Sequence, residues 1–365
     1  MHHSAQDATW LSRQLYPLER LLAAGNKHCQ GSQQTLLKAA LRAGQKHGSL
    51  TSQAAYLSPD GDISVCASAP RGEAPSFSVR YRYASLTKLF TAQAVLDAMA
   101  EQALPLNTPL SQFVPEANSA QDSRWAEVTI EQLLTHSAGL DRLRSYDPMT
   151  RHAVTPWCPG DMEQLKKFKL DFDPGTDYGY SNLTYCLLGL VLEQLTDLPF
   201  TEALESTLGI RKFGMQFIAG PYLPDEVQYD FRHAGFYGEN YYEYMDFPAL
   251  ASSAGLSGTA LGLIEWIAAQ RQNNTLTVTQ HVWPQECDLS KKRACYGYAL
   301  FPYRKQGNDL LVQVQQGYVF GASSSLIFDE HGGVFVWLGN GSAPKGSAAD
   351  NMLDVMYDLL VIHYY

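Results

Sequence analysis

The two ends of this chain read as strands and its middle reads as helices, and that distribution limits the folds open to it. AAYLSPDGDISVCAS, residues 54–68, gives two short apolar runs around the Pro59-Asp60-Gly61 turn. From residue 294 the runs CYGYALFPY, DLLVQVQQGYV, ASSSLIFDE and GGVFVWLGN follow one another with turn signals between them, as in an antiparallel meander. Between these ends, apolar residues recur at helical spacing over 85–102, 129–135, 183–196 and 259–271, separated by loops rich in Gly, Pro and Tyr. Residues 35–48 predict a further helix stopping at Gly48, and SAADNMLDVMYDLLVIHYY closes the chain as an amphipathic one. The expected fold is therefore α/β, an antiparallel sheet flanked by N- and C-terminal helices with an inserted, mainly helical subdomain. The expected boundaries are 1–34 for a polar, helical extension, 35–84 with 290–365 for the sheet domain, and 85–289 for the helical part. Clefts form where two such parts meet, which places the active site at their interface.

Composition narrows the function. With 365 residues, 45% hydrophobic and 18% charged, the chain can bury a large core. A net charge of -10 argues against nucleic acid or an anionic membrane as partner, since both want a basic face. No run of about 18 apolar residues occurs, so no membrane span is expected. The opening MHHSAQDATWLSRQLYPLERLL lacks the basic-then-apolar order of a secretion signal, and a cytoplasmic location is expected. Six cysteines lie scattered without CxxC pairs; disulfides are one reading, and reduced thiols serving as small core residues are the preferred one. Zinc-type spacings, a Walker loop, GxGxxG and GxSxG are all missing, so no metal or cofactor is expected.

Chemistry enters with RYASLTKLFTAQAV, residues 82–95. Ser85 and Lys88 stand one helical turn apart at the front of a long apolar run, so their side chains are neighbours. At a helix N-terminus, unpaired N–H groups and the dipole favour an oxyanion and disfavour a charged amine. A neutral Lys88 accepts the serine proton, whereas a solvated lysine near its reference pKa does not. Two readings stand here: a nucleophile with its base, or a helix-capping serine beside a solvated lysine. A second Ser-x-x-Lys, Ser342-Ala343-Pro344-Lys345, carries a proline between glycines and reads as a loop. Tyr180-Ser181-Asn182, the only Tyr-x-Asn among 21 tyrosines, opens another strong helix. Tyr180 there either shares proton transfer with Ser85 and Lys88, or the stretch is a turn and N-cap; Asn182 would hold the lysine or a substrate carbonyl.

These stretches together resemble the serine β-lactamase and penicillin-recognising enzyme superfamily, on the branch of class C β-lactamases, D-aminopeptidases and family VIII esterases. Ser85-Leu86-Thr87-Lys88 matches its first motif and Tyr180-Ser181-Asn182 its second. Leu133-Leu134-Thr135-His136-Ser137-Ala138-Gly139-Leu140, Pro174-Gly175-Thr176, Ser253-Ala254-Gly255-Leu256-Ser257 and Tyr296-Gly297-Tyr298 follow in the family's order. The resemblance implies a DD-peptidase-like fold, a nucleophile at Ser85, a base at Lys88 and a proton-shuttling oxygen at Tyr180, with His136 structural. The third motif departs: where relatives carry Lys-Thr-Gly or His-Thr-Gly, this chain has Gln315-Gln316-Gly317-Tyr318. Gly317 is kept, and the resemblance implies an oxyanion hole from the N–H groups of Ser85 and Tyr318. With the cation gone, neutral esters, amides or thioesters are expected to suit Gln315 better than penicillin carboxylates. The tyrosines of FYGENYYEYMDF, residues 236–247, either line an acyl pocket or pack within a long loop.

The expected activity is thus a cofactor-free serine hydrolase acting through an acyl-enzyme on a small-molecule or peptide-like ester or amide. An acyltransferase or thioesterase on a carrier-bound donor, and a non-catalytic binding protein on the same scaffold, are the alternatives.

Overall fold

The computed structural model describes residues 15, 18, 25–70, 72–145, 147–149, 155–220, 222–229, 241–319, 321–341 and 348–365. The chain opens with β1 (Lys27–Gln30), α1 (Gln34–Lys46), β2 (Ser52–Leu57), β3 (Ile63–Ser68) and β4 (Tyr81–Arg82). Its middle carries α2 (Thr87–Glu101), α3 (Ile130–Leu134), α4 (Asn182–Thr196), α5 (Phe200–Leu208), β5 (Gln216–Phe217), α6 (Phe247–Ala254), β6 (Leu256–Gly258) and α7 (Ala260–Gln272). It ends with β7 (Phe301–Tyr303), β8 (Val312–Val319), β9 (Ala322–Asp329), β10 (Val334–Asn340) and α8 (Ala348–Tyr364).

Seven strands form one sheet in the order β1-β3-β2-β10-β9-β8-β7, with every neighbouring pair antiparallel. The early and late strands meet at β2 and β10, where Ala55 faces Val336 and Leu57 faces Val334. Both faces are covered, so β2 and β10 are buried residue after residue, the polar Ser52 and Gln53 included. The two-residue period survives in where the side chains go. Tyr56, Phe335 and Trp337 join Leu37 and Leu41 of α1 and Met352, Met356 and Leu360 of α8. Ala55, Leu57, Val334 and Val336 join the larger core, with Ile264 and Ile267 of α7 and the helical part.

Helix α2 is the axis of that helical part. It is buried on almost every side, including Leu89, Phe90, Val95 and Met99, and packs against α4, α5 and α6. Each such side chain contributes roughly 1.5–3 kcal/mol on burial, so packing holds this helix in place and carries Lys88 into the interior with it. A small sheet, β4-β6-β5, fixes the chain entering α2: Arg82 pairs with Ser257, and Tyr83 N–H donates to Leu256 O at 2.9 Å. Arg82 Nε also donates to Glu226 Oε1 at 2.5 Å, with both side chains buried.

Two expectations need correction. Residues 27–30, assigned to a helical extension, form edge strand β1, because four residues are too few for a periodicity to show. The six cysteines, preferred as reduced thiols, are paired as Cys29–Cys66, Cys158–Cys186 and Cys287–Cys295. Cys29 and Cys66 face each other across β1 and β3 with Cα atoms 4.1 Å apart, an approach set by strand register that no sequence spacing reveals. The second Ser-x-x-Lys, at 342–345, lies outside the described residues, as do residues 1–14. Among the described residues no helix is long and apolar enough to cross a membrane.

Candidate active site

Ser85 sits in a single 3₁₀ turn, Ala84–Leu86, one step before α2 begins at Thr87. Ala84 holds a left-handed φ of 50°, which costs a non-glycine residue about 1–3 kcal/mol and is characteristic of functional turns. The serine makes no capping hydrogen bond. Its Oγ instead accepts from Lys88 Nζ at 3.2 Å and from Tyr180 OH at 2.9 Å. Of the two sequence readings, the capping one is therefore not the arrangement found, and the lysine is wholly buried rather than solvated.

Lys88 is fully enclosed, yet its amine has partners in every direction. It donates to Asn182 Oδ1 at 2.7 Å and to Ser253 O at 2.9 Å, with Ser85 Oγ third. The Ser253 carbonyl is one of the orphan acceptors at the end of α6, and Thr91 Oγ1 satisfies the next, Ser252 O, at 2.7 Å. Asn182 cannot turn its amide over, because Nδ2 donates to Asp147 Oδ2 at 2.9 Å. Two obligate acceptors thus take two hydrogens of Lys88, and a neutral amine keeps its lone pair for Ser85. Burial holds the Lys88 amine below the usual lysine range. Burial alone would raise the Tyr180 phenol, but the charges of Lys88 and Arg142 outweigh it and bring the phenol below its usual range. The two titratable groups that touch the serine oxygen are thus both shifted below their usual ranges.

Local sequence explains the second motif. Ser181 caps α4, its Oγ accepting from Leu183 N–H at 3.1 Å, which frees Asn182 for the lysine. His136 lies behind Tyr180, ring centroids 4.5 Å apart, and its Nδ1 contacts Thr184 Oγ1 at 2.9 Å. Burial, with the charges of Lys88 and Arg142, holds this imidazole well below its usual range, so it is a neutral wall of the site.

The third-motif stretch occupies β8, where Gln315, Gly317 and Tyr318 line a cavity of about 490 Å³ with Ser85 and Tyr180. A β-carbon on Gly317 would stand 2.9 Å from Ser85 N and 2.5 Å from Tyr83 O, so only glycine lets the strand lie against the serine turn. Tyr178, Tyr296, Arg142 and Arg293 complete much of the wall. The expected aromatic loop falls only partly among the described residues: 236–240 lie outside them, while Tyr244 is exposed and Phe247 lines a separate cavity of about 410 Å³.

All seven sequence-predicted residues therefore converge. Sequence reasoning missed Asp147, Arg142 and Arg293. Arg142 follows the Gly139-Leu140 motif by two residues, which is the one available signal; Asp147 and Arg293 come from polar loops without any.

A serine turn, a buried lysine and a phenol at the junction of a seven-stranded antiparallel sheet and a helical part lie in the cleft of a penicillin-binding-like scaffold. The chain belongs to the beta-lactamase family, whose model matches residues 37–355. It is 36% identical over 361 residues to the putative fimbrial assembly protein FimD, serogroup D, of Dichelobacter nodosus, covering 97% of this chain and 90% of that one. Among solved structures it is similar to a beta-lactamase/D-alanine carboxypeptidase of Yersinia pestis, with TM-score 0.71, 17% identity, and 90% and 98% of the two chains covered. It is also similar to a D-amino acid amidase of Ochrobactrum anthropi, with TM-score 0.69, 16% identity, and 91% and 100% covered.

Proposed function

We propose that this protein is a serine hydrolase that opens an amide or ester through an acyl-enzyme on Ser85. One observation carries the reading: Ser85 Oγ lies 3.2 Å from a buried amine and 2.9 Å from a phenol, both with lowered pKa. Ser85 Oγ attacks the substrate carbonyl carbon while its proton passes to the Lys88–Tyr180 pair. The N–H groups of Ser85 and Tyr318 receive the oxyanion of the tetrahedral intermediate. Collapse breaks the bond to the leaving nitrogen or oxygen, which departs with the proton returned through Tyr180. Water then enters along the same path, gives up a proton to the pair, and releases the acid as Ser85 recovers its hydrogen. Gly317 serves by keeping β8 close to the serine turn.

Ser85→Ala should abolish turnover and covalent labelling by a fluorophosphonate, followed by intact mass, with the circular-dichroism spectrum unchanged. Labelling that persists in this variant removes the mechanism. Competing water with an amine or alcohol acceptor, and analysing the products, separates hydrolysis from acyl transfer.

We also propose an oxidising compartment in place of the cytoplasmic expectation. Three cysteine pairs favour it, and the relatives' naming as fimbrial assembly proteins is consistent with it. Alkylating the native protein in cell extract should add no mass; six added alkyl groups would refute the proposal.

A further inference from the structure

Tyr180 OH lies 2.9 Å from Ser85 Oγ, so the charges that face its phenol decide how readily it takes or gives a proton. Most of its neighbours are neutral. The His136 ring centroid lies 4.5 Å away, and burial with nearby cations keeps that imidazole uncharged. Tyr296 meets the Tyr180 ring edge-on at 6.0 Å, and burial holds the Tyr178, Tyr185 and Tyr296 phenols above their usual range. Strand β8 brings the uncharged Gln315 and Gln316 to this wall. Arg293 lies over the Phe301 ring and donates to Gln316 Oε1 at 2.5 Å. The Asp147 carboxylate is engaged with Asn182 Nδ2 at 2.9 Å and acts on Lys88. Two cations lie over the Tyr180 ring itself: Lys88 Nζ is 5.1 Å from its centroid and Arg142 Cζ 4.8 Å.

Arg142 is built into this place. Its backbone N–H donates to Tyr180 O at 3.0 Å, which ties the two segments directly together. Asp171 Oδ2 anchors the turn that carries it, accepting from Asp141 N–H at 2.8 Å and from Ser145 Oγ at 2.8 Å. Gly179 permits the approach, since a β-carbon there would stand 2.5 Å from Leu140 O. Asp141, next to Arg142 in the chain, accepts from Leu143 N–H at 2.9 Å and pairs with Arg144 at 3.4 Å. Among the described residues no carboxylate pairs with the Arg142 guanidinium. Arg142 is exposed, so salt reaches its charge, whereas Lys88 is fully buried.

Resting on the serine-hydrolase reading, we propose that Arg142 is a positioning residue for Tyr180, a cation over the ring that favours the phenolate over the phenol. It acts through Tyr180. As the Ser85 O–H bond breaks, an O–H bond forms on the phenolate, and the same proton later passes to the leaving nitrogen or oxygen. By stabilising the phenolate, Arg142 lets this cycle run at lower pH. The cleft thus draws a second positive charge from outside the three motifs.

The test reads fluorophosphonate labelling of Ser85 against pH. Tyr180 ionisation is followed in parallel by NMR of protein carrying isotope-labelled tyrosine, with Tyr180→Phe identifying the signal. Arg142→Gln should raise the Tyr180 midpoint and move the acidic limb of the labelling profile to higher pH. Labelling at neutral pH should slow about tenfold, the lower end of what one opposite charge does at close range. Arg142→Lys keeps the charge and should keep most of the native rate. Raised salt should slow the native protein towards the glutamine variant and leave that variant little changed. A contact that only packs the ring would leave the Tyr180 midpoint in place and harm the lysine variant as much as the glutamine one. Either of those two results overturns the proposal. Should the native protein take no label on Ser85, the hydrolase reading has failed separately. The Tyr180 midpoint then decides alone: raised in Arg142→Gln it upholds the role of Arg142, and unmoved it removes it.

Discussion

Replacing Lys88 by methionine should separate catalysis from folding more cleanly than any other single change. Methionine matches the lysine in volume and leaves no cavity in α2. The loss in the fold is local: Asn182 Oδ1 and Ser253 O each lose a donor in a buried place, at about 1–3 kcal/mol apiece. The gain is relief of a desolvated amine, an effective cost of several kcal/mol. The terms oppose, so the free energy of unfolding at neutral pH should shift by no more than about 3 kcal/mol in either direction. Chemistry has no such compensation. Loss of the proton acceptor should slow acylation of Ser85 by about 10²–10⁴-fold.

The pH dependence has a definite sign. Lys88 and Tyr180 both titrate below their ordinary values in the folded protein. The unfolded chain therefore binds more protons than the folded one between those lowered values and about pH 10, where free lysine and tyrosine titrate. The native protein gains stability as pH rises through that window, and Lys88→Met loses this gain. Thermal melts of both proteins from pH 7 to 10, paired with fluorophosphonate labelling rates, test the whole chain of reasoning. A labelling rate within tenfold of native, or a native-minus-variant stability that falls with rising pH, would refute it.

Gly317→Ala should cut acylation at least about 100-fold at a cost of roughly 1–3 kcal/mol in stability, because the new methyl meets Ser85 N and Tyr83 O; stopped-flow acylation and urea melts read the two effects. Asp147→Ala should free the Asn182 amide to turn over and lower kcat about tenfold, a loss of one charge-assisted hydrogen bond. Asp147→Asn, which keeps an acceptor there, should restore most of it, and the acidic limb of the kcat profile should move to lower pH in both variants, because each removes the charge that raises Lys88.

What the sequence revealed and what it concealed divide along one physical line. Features carried by neighbours along the chain were legible: the Pro59-Asp60-Gly61 turn, the helix over 129–135, and Ser85 one turn from Lys88. Features made by tertiary approach were not. Cys29 finds Cys66 through strand register, and Asp147 reaches Asn182 from a loop without periodicity. Even Ser85 was read one step off, because α2 starts at Thr87 and the serine sits in a 3₁₀ turn whose Ala84 holds a left-handed φ. The third motif shows the same line at the level of function. Reading Gln315 by itself, the lost cation argued for neutral substrates. In three dimensions Gln316 Oε1 accepts from Arg293, and Gln315 Oε1 accepts from Tyr296 OH and the Gln316 N–H, so neighbours in space set how each amide is turned. A residue's identity fixes which bonds it can make, but its neighbours in space decide which end of it the substrate meets.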